Sequence, residues 1–82
     1  MLALTEKTEF PVHESIQVLS GETIFRTDKW WMAVVKAKSF GRDVINVYLW
    51  VKRGDVWKRQ QKMSVRDRET WEKVKKAIDK LF

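Results

Sequence analysis

Eighty-two residues allow one domain and no more, with a core small enough that self-association is expected. The chain has no cysteine, which excludes disulfides and thiolate metal sites, and no apolar run of the ~18 residues a membrane span needs. Its net charge is +6, and it lacks a basic-then-apolar signal pattern, so an intracellular location, cytoplasm or nucleoid, is expected.

Residues 1–13 have no clear periodicity, and Pro11 interrupts them. They read as an N-terminal arm ahead of one domain over 14–82, with Phe10 available to pack onto the body or onto a partner. From Ser15 to Thr27 the strand formers Ile16, Val18, Ile24 and Phe25 predict extended chain. Ser20-Gly21 makes this stretch a tight hairpin or one strand bulged at Gly21, and Asp28-Lys29 turns the chain.

The second strand runs from Trp31 to Phe40. Trp31, Ala33, Val35 and Ala37 alternate toward the core, and Met32, Val34, Lys36 and Lys38 face away. Phe40-Gly41-Arg42-Asp43 is the next turn, with Gly41 able to supply a positive φ. Val44 to Lys52 alternates most clearly. Its unbroken apolar set Ile45, Val47, Leu49 and Val51 is expected inside, which leaves Tyr48 and Trp50 on an open face. Arg53-Gly54-Asp55 turns into a fourth strand, Val56 to Val65, whose faces are not separable by pattern. Asp67 to Phe82 predicts a helix. Asp67 suits the N-cap, Glu69 and Glu72 suit the positive end of the dipole, and Trp71, Val74, Ile78 and Leu81 form one stripe. Trp71 reads as a core anchor between helix and sheet. The fold class is therefore α+β: an antiparallel four-stranded sheet followed by one C-terminal helix on one face, β-β-β-β-α, as a dimer or higher oligomer.

Charge is concentrated on the middle of this chain. Residues 1–28 carry two basic and five acidic side chains, 29–66 carry ten and two, and 67–82 carry five and four. The central segment also holds four of the five tryptophans. Basic side chains alternating with aromatic ones on strands suit nucleic acid: cations neutralise phosphates and flat rings stack on unpaired bases. A membrane surface is usually met by a basic amphipathic helix, and the helix here is nearly neutral. Charged residues make up 34% of the chain, above the ~25% usual for globular domains, which together with the missing cysteine hints at a thermophilic source.

Catalysis finds few groups to use. His13 is the only histidine and lies in the arm, and no nucleophile–base set or metal-ligand spacing occurs, so no enzyme and no cofactor is expected. Gly41 and Gly54 are isolated turn glycines, not a phosphate-cradling loop.

The stretches VINVYLW at 44–50 and KMSVRDRETWEKVKKAI at 62–78 resemble the positive-cofactor-four family of transcriptional coactivators, which is akin to the plant whirly proteins. Met63-Ser64-Val65 and Trp71 match that family's strand end and helical tryptophan, and Phe40-Gly41-Arg42-Asp43 is similar to its aromatic–basic turn. The resemblance covers roughly residues 29–80. The turn Arg53-Gly54-Asp55 is shorter than the family's, and the proline of the helix turn and the Ser/Lys-rich tail are absent. The archaeal ThermoDBP-type single-stranded DNA-binding proteins, also basic, aromatic and strand-rich, are a second resemblance. Both imply an oligomer that binds single-stranded DNA, in transcription, replication or repair.

The expectation is thus sequence-independent single-stranded DNA binding on an open sheet face. Lys36, Lys38, Arg42, Lys52, Arg53, Lys58 and Arg59 would contact phosphates, and Phe40, Tyr48, Trp50 and Trp57 would stack on bases. At most one of the adjacent Trp30 and Trp31 joins Trp50 on its side. The rival expectations are duplex DNA, single-stranded RNA, or a protein–protein interface built on the same aromatic face.

Overall fold

A computed structural model describes residues 10–13 and 15–82; most of the predicted arm, residues 1–9, lies outside the described residues. Four strands, β1 (Gln17–Arg26), β2 (Trp30–Ser39), β3 (Arg42–Arg53) and β4 (Val56–Val65), form one antiparallel sheet in chain order. The helix α1 (Arg68–Leu81) follows. The order β-β-β-β-α is the one the sequence predicts.

Each connection has a local cause. Between β1 and β2 the Thr27 hydroxyl accepts from the Trp30 amide at 3.0 Å and from that of Lys29 at 3.3 Å, closing a side-chain-capped turn. Between β2 and β3 only Phe40 and Gly41 lie outside the strands, at φ 53° and 79°. Two successive positive φ angles are what a two-residue hairpin with right-handed strand twist requires, and Phe40 bears a conformation unusual for a bulky side chain. Gly54 (φ 66°) with Asp55 closes the β3–β4 hairpin. β1 is one strand, not a hairpin. Its register slips between Val18 and Ser20 and again between Thr23 and Phe25, so the bulges flank Gly21 instead of falling on it.

The Phe40-Gly41 hairpin pairs Ser39 with Arg42, and the register continues to Ala37↔Val44, Val35↔Asn46, Ala33↔Tyr48 and Trp31↔Trp50. Directly paired residues share a face. The face that holds Trp31, Ala33, Val35 and Ala37, face A, therefore also holds Val44, Asn46, Tyr48 and Trp50, and all eight are buried. This overturns the expected open position of Tyr48 and Trp50. Their exposures are 2% and 0%, and Ile45, expected inside, is 41% exposed on the opposite face, face B. Of the β3 residues expected inside, Val51 alone is buried, while Val47 and Leu49 are half-buried.

Face A is covered by the segment that leads into β1, not by the helix. Phe10, Val12, Ile16 and Val18 pack on it, together with Trp57 from β4. A small polar network sits within: Ser64 Oγ donates to Asn46 Oδ1 at 2.8 Å, and Asn46 Nδ2 donates to the Tyr48 hydroxyl at 3.2 Å. Among the elements α1 contacts β4 alone, and none of its residues is buried. Trp71, expected to be a core anchor, is half-buried at the edge of face B. The helix begins where predicted, with Asp67 Oδ1 accepting from the Thr70 amide at 2.8 Å.

Candidate nucleic-acid interface

The eleven residues expected at a binding surface are divided between two faces and two ends of the sheet. Phe40 and Arg42 are exposed at the β2–β3 hairpin tip. Trp57 lies at the other end, a ten-residue strand or about 30 Å away at ~3.3 Å per residue. Lys36 and Lys38 point to face B, where both approach Asp43, at 4.0 and 3.9 Å. Exposed pairs at that distance contribute little to stability, but they place a carboxylate beside both cations. Arg53 and Lys58 also belong to face B by register, opposite Val56 and Val51.

Lys52, Trp57 and Arg59 do come together. Lys52 pairs with Trp57, and Trp50 with Arg59, across a bulge in the β3–β4 ladder that leaves Gln60 without a partner. All three therefore border face A at the end that carries Trp31 and Trp50. Trp57 is half-buried, its ring 5.5 Å from that of Trp31 at 70°, an edge-to-face contact. Two residues not anticipated from the sequence complete the group. The Arg26 guanidinium lies 3.9 Å from the Trp31 ring centroid and 5.4 Å from that of Trp57. Lys62 stands 5.9 Å from the Tyr48 ring, and Lys52 lies 5.7 Å from that of Trp57. Arg26 lies in the acidic first third of the chain, and only the pairing Arg26↔Trp31 brings it here. Lys62 stands on face A through its pairing with Tyr48, which sets the facing of β4.

The result is a half-exposed indole bordered by exposed cations. Arg26, Lys52, Arg59 and Lys62 are exposed, and the charged groups of Arg26, Lys52 and Lys62 lie over aromatic rings. Beneath it the rings continue inward, Trp31 to Trp50 at 5.1 Å and Trp50 to Tyr48 at 5.0 Å, the latter pair stacked within 13°. Trp31 Nε1 donates to Thr23 Oγ1 at 3.1 Å. Trp50 Nε1 is buried and has no partner among the described residues, an arrangement that costs about 1–3 kcal/mol.

Face B is different in kind. A groove of about 460 Å³ runs between Val34, Ile45, Val47 and Val65 of the sheet and Trp71 at the start of α1, with Arg66 and Arg68 at its mouth. No family model matches this chain, and no curated protein or solved structure matches it.

Proposed function

We propose that this protein binds single-stranded nucleic acid at the Trp57 end of face A, without sequence readout. The observation that carries the reading is the half-exposed Trp57 ring with Arg26 and Lys52 beside it, and with Arg59 and Lys62 farther along the same face. A base stacks on the indole at about 1–3 kcal/mol, and the cations take the flanking phosphates. This footprint is narrower than the one expected from the sequence. Trp31 meets the indole edge to face, with Trp50 and Tyr48 stacked behind Trp31, and Phe40 belongs to another place on the molecule.

Titrating a dT oligonucleotide, its duplex and the matching RNA at two salt concentrations tests the reading. Single strands should bind tightest, and log affinity should fall with log salt by ~0.7 per phosphate neutralised. Trp57→Ala should weaken single-strand binding about 5- to 100-fold, the loss expected for one stacked base. Tighter binding to duplex, or full affinity in Trp57→Ala, would discard the proposal.

A second reading concerns face B. Met32, Val34, Ile45, Val47, Leu49 and Met63 line a stripe the helix does not cover, and Ile78 and Leu81 of α1 are exposed as well. A continuous apolar stripe of this kind marks an interface more often than scattered surface residues do. It supports self-association through face B and α1, which leaves the Trp57 end of face A free for nucleic acid. The molar mass in solution must then exceed that of one chain.

A further inference from the structure

The end of the sheet that carries Trp57 is cationic on both faces. Consecutive strand residues point to opposite sides, so Lys52-Arg53 and Lys58-Arg59 each place one cation on either face. Lys52 and Arg59 border face A, where Trp57 lies. Arg53 and Lys58 are exposed on face B, outside the Trp57 footprint. Trp30 stands in their row: it pairs with Val51, and Val51 with Lys58. Two strand spacings of ~4.8 Å put the Trp30 and Lys58 backbones roughly 10 Å apart. Because Lys58 follows Trp57 directly, the two indoles belong to one end of the sheet and to opposite faces.

Trp30 is 38% exposed and, unlike Trp31, Trp50 and Trp57, stacks on no other ring among the described residues. Its backbone is fixed on both sides. Its amide donates to Thr27 Oγ1 at 3.0 Å, and its carbonyl accepts from the Thr27 amide at 2.7 Å. An open ring on a fixed backbone meets a flat partner with little ordering left to do. The carboxylates of this end, Asp28 and Asp55, lie in the turns. Those of the strands, Glu22 and Asp43, lie farther along, opposite Val34 and Lys38. We infer that Trp30 is a second stacking platform for the same strand. Nucleic acid that stacks on Trp57 continues around the end of the sheet, its phosphates passing from Lys52 and Arg59 to Arg53 and Lys58, and a later base stacks on Trp30. Lysine is depleted from protein interfaces, and Lys58 stands in the Trp30 row. The Trp30 site rests on the single-strand reading above and extends that footprint to the second face.

Strand length separates the two platforms. A short dT oligonucleotide of about 4 nucleotides covers one of them, and a long one of about 16 reaches both. Each would be titrated against the parent, Trp30→Ala, and a variant combining Arg53→Gln with Lys58→Gln. A circular-dichroism melt and sedimentation of each protein would be read alongside. Trp30→Ala should weaken the long strand about 5- to 100-fold, the loss of one stacked base, and leave the short one unchanged. The paired variant should lower the salt slope of the long strand by about 1.4, ~0.7 for each of two phosphates, and not that of the short one. If folded Trp30→Ala binds the long strand as the parent does, or loses as much on the short one, the second platform is refuted and the Trp57 reading stands. A molar mass that falls in Trp30→Ala would make the ring a contact between copies, and overturns the inference as well. If the parent binds neither length, the Trp57 reading itself fails and takes this one with it. Should Trp30→Ala lose its cooperative melt, the paired variant decides: an unchanged long-strand slope, or an equal drop on the short strand, refutes the site.

Discussion

Face A and face B of the sheet meet different neighbours. On face A, Ala33 and Ala37 leave hollows beside the large rings of Trp31, Tyr48 and Trp50, and Phe10, Val12 and Ile16 pack over that relief. Face B is lined with side chains of more uniform size, Val34, Ile45, Val47 and Leu49, and among the described residues it receives only the start of α1. Both faces are apolar along β3, so apolar character alone does not decide which side closes. The side that closes is the one whose relief matches a covering segment within reach, because burial requires partner atoms as well as exclusion of water.

That difference gives the largest expected effect. Trp50→Ala should destabilise the protein by about 3–5 kcal/mol, the usual cost of emptying a large aromatic site. Leu49→Ala, the neighbouring residue on the half-buried face, should cost less than about 2 kcal/mol. Urea denaturation of the two variants compares the faces directly. Equal costs would mean that face B is as fully packed as face A.

Much of the fold was legible in sequence. The turn residues, the four strands and the capped helix all follow from local chemistry, with Gly41, Gly54 and Asp67 at the positions their conformations demand. The facing of β3 was legible too, though not from its own alternation. The Phe40-Gly41 loop has an even number of residues, so odd-numbered residues of β2 must share a face with even-numbered residues of β3. Placing Trp31, Ala33, Val35 and Ala37 inside already required Tyr48 and Trp50 beside them. The unbroken run Ile45, Val47, Leu49, Val51 points the other way, because a clean apolar face need not be a covered one. The Arg26 contacts had no such signal, and for Phe10 the sequence offers packing onto the body only as one of two alternatives. Each depends on which segments lie over the sheet, and β1 reaches β2 through two bulges that no local pattern marks.

A charge placed on face B sharpens the comparison further. Val47→Lys should leave the melt of a single chain nearly unchanged, because that position is half-buried and opens onto the groove. The same change should abolish self-association, because an interface would have to bury the new ammonium without a partner. Sedimentation of the parent and variant over a concentration series reads this. A parent that stays monomeric throughout, or a variant that still assembles, would remove face B from consideration as a contact between copies.

The smallest effect concerns α1, which among the described elements contacts β4 alone and has no buried residue. A helix of 14 residues without a buried face is marginal, so its local terms carry unusual weight. The Arg68–Glu72 and Glu69–Lys73 pairs, at 3.6 and 3.9 Å, are exposed and weak. The cap is different in that it titrates. The Thr70 amide bonded to Asp67, and then the Thr70 hydroxyl, hold the Asp67 carboxyl below the usual carboxylate range, with slight desolvation opposing them. A carboxyl depressed in the folded state contributes stability above its unfolded pKa, and that contribution fades as pH falls through the folded one. Helicity should therefore decline below about pH 4, where carboxylates begin to take up protons. Asp67→Asn keeps an oxygen acceptor for the Thr70 amide but has no proton to gain. Its helical circular dichroism should fall less than the parent's between pH 5 and pH 2. Superimposable pH profiles would show that the first turn of α1 holds without its carboxylate, and that the start of the helix draws more support from β4 than its exposure implies.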